Sequence, residues 1–169
     1  MEVDDAIHGR RTHKQYGAEA LDAGTLASLL ELARWAPNHH LTQPTRLRVL
    51  GPETRVRLER ACGEKEAAKL RRAPTLVLAT AVLTGDPQTD EEDLLSTGCA
   101  VYAILLGATA RGLASYWRTP GCFREQPVRA LLGLAPNEEV VSLIHLGLPG
   151  SDPPAKERAP VGEVLDFLD

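Results

Sequence analysis

The stretch from Asp93 to Arg111 constrains this chain most. It is rich in Ala and Leu on all sides of the helical wheel, and Val101, Ile104, Leu105 and Leu106 leave it no polar stripe. A helix apolar on every side is buried on every side. In a chain of 169 residues, other elements can cover part of it and a second subunit could cover the rest. Its most apolar part, Gly98 to Ala110, falls short of the roughly 18 residues that cross a bilayer. We therefore expect no membrane span.

The remaining elements follow from periodicity and breakers. Val3, Ala6 and Ile7 have helical spacing and lead into a basic cluster. Asp22 can cap a helix carrying Leu26, Leu29, Leu30 and Ala33 on one face, and Pro37 stops it. Leu47 and Val49 alternate with Arg46 and Arg48, as in a strand with one wet face. Residues 52–61 and 64–72 read as polar helices, with Arg71-Arg72 as a solvated helix end. Thr75 to Ala81 is a continuous apolar run between Pro74 and Gly85, the pattern of a buried central strand. Asp86 to Asp93 reads as an acidic loop, its Glu91, Glu92 and Asp93 as a solvated helix start. Gly112 suits the position just past the long helix. Residues 113–117 read as a strand, 128–132 as a short helix and 140–148 as a second buried strand. The tail ends in Val161, Val164, Leu165, Phe167 and Leu168, apolar content that calls for a packing partner. The expectation is one domain over residues 1–169, a small central sheet covered by helices on both faces.

Composition excludes several classes. A net charge of −4 argues against a nucleic-acid partner, which needs a basic face. The acidic start, Met1-Glu2-Val3-Asp4-Asp5, lacks the basic and apolar regions of a signal peptide. Cys62, Cys99 and Cys122 are widely separated and form no CxxC pair, so they read as free thiols in a reducing compartment, Cys99 as a packed small hydrophobe. A cytoplasmic protein is expected. No GxGxxG, P-loop or GxSxG signature occurs.

Three segments could carry chemistry. Arg10, Arg11 and Thr12, followed by Lys14, offer planar charged forks and a hydroxyl, which suit a phosphate ester; a basic helix C-terminus is the plainer alternative. Ala36-Pro37-Asn38-His39-His40-Leu41-Thr42-Gln43-Pro44 concentrates polar groups between two prolines. Gln43 offers both a donor and an acceptor to the edge of a flat ring. The adjacent His39 and His40 lack metal-ligand spacing. Trp117-Arg118-Thr119 ends a strand before Pro120-Gly121, a position where backbone N–H groups can face a ligand.

Together, in this order, these segments resemble the flavin-binding segments of the nitroreductase family, and most closely its compact branch. The resemblance runs from Arg10 to Gly147-Leu148-Pro149. It implies an α+β, three-layer α/β/α fold with a small mixed, mainly antiparallel sheet in an intertwined homodimer. It also implies FMN as cofactor and NADH or NADPH as transient electron donor. A nitroaromatic, quinone or related small acceptor would be reduced by ping-pong hydride transfer. By the resemblance, Arg10, Arg11, Thr12 and the Trp117–Thr119 turn bind FMN from one subunit. Trp35 and His39 reach it from the other, Gln43 is a further ring contact, and Lys156 or Arg158 loosely matches a basic residue that helps hold phosphate. No acid or base of the protein is required, although His39 could donate a proton. Thr45 and Leu47 stand where an aromatic pair is common. A specialised flavin reaction, such as dehalogenation or a biosynthetic reduction, and a non-enzymatic FMN-binding or sensing role stand as alternatives.

Overall fold

The computed structural model describes residues 1–168. Six α-helices surround one sheet: α1 (Val3–Gly9), α2 (Ala23–Leu30), α3 (Pro52–Cys62), α4 (Glu64–Leu70), α5 (Pro87–Ala110) and α6 (Gln126–Leu131). The strands are β1 (Thr45–Val49), β2 (Thr75–Val82), β3 (Ala114–Arg118) and β4 (Glu138–Gly147). Their order is β1-β2-β4-β3, and every pairing is antiparallel. Among the described residues of the single chain there is no parallel pairing, which accords with the mainly antiparallel sheet expected.

The two-residue alternation of β2 and β4 divides the molecule into layers. Leu76 and Leu78, with Val140 and Leu143, face α3, α4 and α6 and build one core with Leu58, Leu70 and Phe123. Val77 and Ala79, with Ile144 and Leu146, face α5 and build the other with Leu29, Ala100, Val101 and Ile104. A bulge at Val141 re-registers β4 between the two ends of β2.

Helix α5 begins six residues earlier than its apolar pattern. Asp86 caps it by accepting from the Thr89 N–H at 2.9 Å, and Pro87 occupies the first turn, where a missing N–H costs nothing. The acidic segment is therefore helix rather than loop. By length and composition α5 could cross a membrane, but half of its most apolar stretch is buried in the core. The uncovered part is a stripe of Leu95, Cys99 and Tyr102; Cys99 is thus exposed on the single chain rather than packed. Gly112 takes the left-handed conformation, φ +68°, expected past the helix end.

The three cysteines are not all free. Cys62, at the end of α3, is bonded to Cys122 in the 3₁₀ turn after β3, with Cα atoms 5.6 Å apart, a separation disulfides favour. On β4, His145 is fully buried between Tyr16 and Tyr116, with no hydrogen-bond partner for either ring nitrogen among the described residues. Burial, aided by the Arg118 charge, pushes its pKa down to about 3. The tail does not fold back: Val161, Val164, Phe167 and Leu168 are exposed.

Candidate functional site

The basic cluster follows α1. An antiparallel bridge between Tyr16 and Pro149 draws the tail alongside it, with Gly17 N–H donating to Leu148 O at 2.9 Å and Gly150 N–H to Gln15 O at 3.1 Å. Gly150 has to be small here, since a Cβ would sit 2.9–3.1 Å from the Gln15 and Tyr16 backbone. The result is a cavity of about 910 Å³ lined by Arg10, Arg11, Thr12 and Lys14 on one side and by Ser151, Lys156 and Arg158 on the other, with Tyr102 of α5 at its wall. Only Asp152 among the lining residues is acidic. None of these five cations is in an ion pair among the described residues. Arg11 donates to the carbonyls of His8 and Arg10. The donors and the uncompensated charge suit a phosphate group. Lys156 and Arg158, only loosely matched in the sequence, belong to this cavity because of the path the tail takes.

The loop before β1 lies elsewhere. It borders a separate cavity of about 290 Å³ lined in part by Ala33, Asn38, Gln43, Arg46 and Ser96. His40, Leu41 and Gln43 all have positive φ, 51°, 54° and 49°, a conformation that costs a non-glycine residue of order 1 kcal/mol or more. Side chains hold the loop in it. Gln43 N–H donates to Asn38 Oδ1 at 2.7 Å, Asn38 Nδ2 donates to Thr42 Oγ1 at 2.8 Å, and Thr42 Oγ1 donates to Asp93 Oδ1 at 2.5 Å. Asp93 is 2% exposed, so the solvated role read for it in the sequence is corrected. The signal was its position on α5: it lies on the side of the buried Ser96 and Thr97, away from Leu95 and Cys99. His39 is exposed and packs edge-on against His40, ring centroids 3.9 Å apart. Trp35 is 81% exposed.

The β3 end splits by strand alternation. Trp117 turns toward α5, its ring 3.6 Å from where a Cβ on Gly98 would lie. Arg118 turns to the opposite face, is 8% exposed and pairs with Glu66 of α4. Its guanidinium is therefore committed away from the basic cavity. Thr119 is exposed, with Oγ1 weakly donating to Val141 O at 3.4 Å. The sequence grouped Arg118 with Arg10 and Arg11; the structure does not bring these side chains together.

The fold and chain match known proteins along most of this chain. A relative from Escherichia coli (strain K12), named "Putative NAD(P)H nitroreductase YdjA", is 30% identical over 166 residues, covering 88% of this chain and 89% of that one. The nitroreductase-like family protein from Bacillus cereus superposes with a TM-score of 0.90 at 23% identity, covering 100% of this chain and 97% of that one. The NADPH:FMN oxidoreductase from Vibrio harveyi complexed with NAD+ superposes at 0.83 with 19% identity, covering 99% of this chain and 77% of that one. The family model itself, described as the nitroreductase family, matches residues 7–69 and 63–148. From the basic cluster after α1 to the last strand of the sheet, the chain belongs to the nitroreductase family.

Proposed function

We propose that this single-domain chain is an FMN-dependent NAD(P)H oxidoreductase of the nitroreductase type, working as a homodimer on nitroaromatics, quinones or similar small acceptors. The supporting observation is the basic cavity, lined by the Thr12 hydroxyl and by five cations that have no ion pair among the described residues. A phosphate ester would relieve their mutual repulsion. When bound, FMN supplies the redox chemistry, accepting hydride from NADH or NADPH and passing it to the acceptor. The protein's part is to bind and orient. Arg10 and Arg11 neutralise phosphate, Thr12 donates to it, and Lys156 and Arg158 close over it from the tail. The Gln43 amide serves the ring edge, and the Trp117–Thr119 turn contributes backbone N–H groups rather than the Arg118 side chain. Trp35 and His39 reach the ring from the other subunit, where His39 could also donate a proton to the reduced acceptor.

The dimer reading rests on α5. Ser96 lines the loop cavity and Tyr102 the basic one, six residues or about 9 Å apart along the helix. The exposed Leu95, Cys99 and Tyr102 lie beside both. A two-fold axis beside this stripe would set the loop of one protomer against the basic cavity of its partner. The apolar tail would then have the partner's surface to cover. A cytoplasmic setting would supply NAD(P)H, although the Cys62–Cys122 bond takes away the free-thiol argument for a reducing compartment.

The test is the visible absorbance spectrum of purified protein supplied with FMN, followed by anaerobic NADH or NADPH. A bound flavin that bleaches is expected. A flavin that binds and stays oxidised would replace this reading with a binding or sensing role, and no binding would end it. Sharing of the site is tested by subunit exchange: Arg10→Ala and His39→Ala homodimers bind FMN poorly, while mixed dimers recover one good site. A His39→Ala protein with unchanged turnover and flavin affinity would remove that residue from both roles.

A further inference from the structure

We propose that Asp93 is a positioning residue: through Thr42 and Asn38 it sets the left-handed backbone that presents Gln43. The importance of that presentation for flavin rests on the function proposed above; the positioning itself does not.

The direction of the hydrogen bonds makes the case. Gln43 N–H donates to Asn38 Oδ1, Asn38 Nδ2 donates to Thr42 Oγ1, and Thr42 Oγ1 donates to Asp93 Oδ1. Every donor in the relay points toward Asp93. Thr42 has a single hydroxyl proton, and spending it on Asp93 leaves its oxygen only able to accept from Asn38. A carboxylate, which only accepts when ionised, fixes this polarity. The amide of Asn38 is thereby fixed too, with its oxygen toward Gln43 and its nitrogen toward Thr42.

The placement of Asp93 is otherwise unexplained. It is buried on α5, 51 residues from Thr42, and no cation pairs with it among the described residues. A buried carboxylate without a cation opposes folding. Its acidic neighbour Asp90 has a local task, accepting from the Thr84 hydroxyl and the N–H groups of Thr84 and Gly85. Asp93 has none of that kind: its Oδ2 is buried without a partner, and Thr42 is its one donor among the described residues. What it holds is a segment in which three of the four residues from His40 to Gln43 have positive φ. Left-handed residues persist only where the surroundings over-determine them.

The experiment compares Thr42→Val, Thr42→Ser, Asp93→Ala and the Thr42→Val/Asp93→Ala double variant, with folding checked by far-UV circular dichroism. Amide hydrogen exchange across residues 38–46 is read by mass spectrometry on FMN-free protein, and FMN affinity by fluorescence titration. Thr42→Val and Asp93→Ala should each speed exchange in this segment and weaken FMN binding by about tenfold, the scale of one charge-assisted hydrogen bond. Thr42→Ser, which keeps the hydroxyl, should behave as wild type. The double variant should be no worse than the poorer single one, because both cut the same relay. Should Asp93→Ala fail to fold, Thr42→Val against Thr42→Ser decides, since Thr42 is exposed. Wild-type exchange in Thr42→Val, or multiplying effects in the double variant, would overturn the proposal. Faster exchange with unchanged FMN affinity would uphold the positioning and refute the loop as a flavin contact.

Discussion

On the face of the sheet that carries α3, α4 and α6, arginine after arginine is spent on another part of the protein. Arg118 pairs with Glu66, Arg48 with Glu138, and Arg71 with Glu59 and Glu64. Arg55 donates to the carbonyls of Leu70, Ala73 and Pro74. The Cys62–Cys122 bond closes the same layer. On the α5 side, Arg10, Lys14 and Lys156 have no ion-pair partner among the described residues, Leu95 and Tyr102 face outward, and a strained loop is held by hydrogen bonds. One layer commits these four arginines internally and so supports the fold. The other keeps its charges and apolar groups available, which is why the proposed ligand and second subunit are assigned to it.

The contrast can be broken by substitutions on either side. The largest expected effect is on the closed layer. Reducing the disulfide, or replacing Cys62 and Cys122 with Ser, should cost about 4 kcal/mol of unfolding free energy by the loop-entropy scale. Urea titration would show it, and FMN affinity should change little. Next, Arg10→Ala with Arg11→Ala should weaken FMN binding about 100-fold, as two charge-assisted contacts are lost. Melting temperature of the flavin-free protein should stay level or rise as like charges part. A large fall instead would mean that these arginines are structural and the contrast is wrong.

The third effect depends on pH. Bidentate hydrogen bonds from Arg48, at 2.7 and 2.8 Å, and one from Thr80 hold the Glu138 carboxyl at about 2, below its ordinary 4.5. A depressed folded pKa means that the pair's stabilisation is complete above about pH 4.5 and is lost as pH falls toward 2. Glu138→Gln should therefore cost roughly 2 kcal/mol at pH 7 and progressively less in acid, read by urea unfolding at several pH values. Burial of neutral His145 adds to wild-type acid sensitivity in the same direction, as protonation below its ordinary pKa favours the unfolded chain. The Glu138→Gln comparison cancels that contribution. The smallest effect is at Arg34, whose bond to Glu31 is exposed on both sides. Arg34→Ala should move stability by less than about 0.5 kcal/mol.

How much of this was legible depended on range in sequence. Asp22 was readable as a cap because its partner, the Thr25 N–H at 2.9 Å, is three residues away. Thr75 to Ala81 was readable as a central strand because both faces are apolar. Arg10 to Thr12 were readable as one basic cluster because they are contiguous, and they line one cavity. Asp86-Pro87 carried a helix-start signal that the acidic residues after it obscured. The pairings that are not legible join distant residues: Arg118 with Glu66, Cys62 with Cys122, Thr42 with Asp93. Strand alternation alone warned that Trp117 and Arg118 would part, since neighbours on a strand face opposite ways. It could not say which of them would meet Glu66. Lys156 and Arg158 enter the basic cavity because Gly150 lets the tail approach Tyr16, a contact that composition does not encode.

The Cys62–Cys122 bond also makes a closed covalent ring whose ends are 60 residues apart in sequence. That ring takes in α4, β2, α5 and β3. A protease that cuts the exposed turn between β2 and α5, at Gly85 or Asp86, opens the ring without releasing a fragment. The nicked protein would run as one species on a denaturing gel and as two after reductant, so the peptide chain and the molecule have different points of failure.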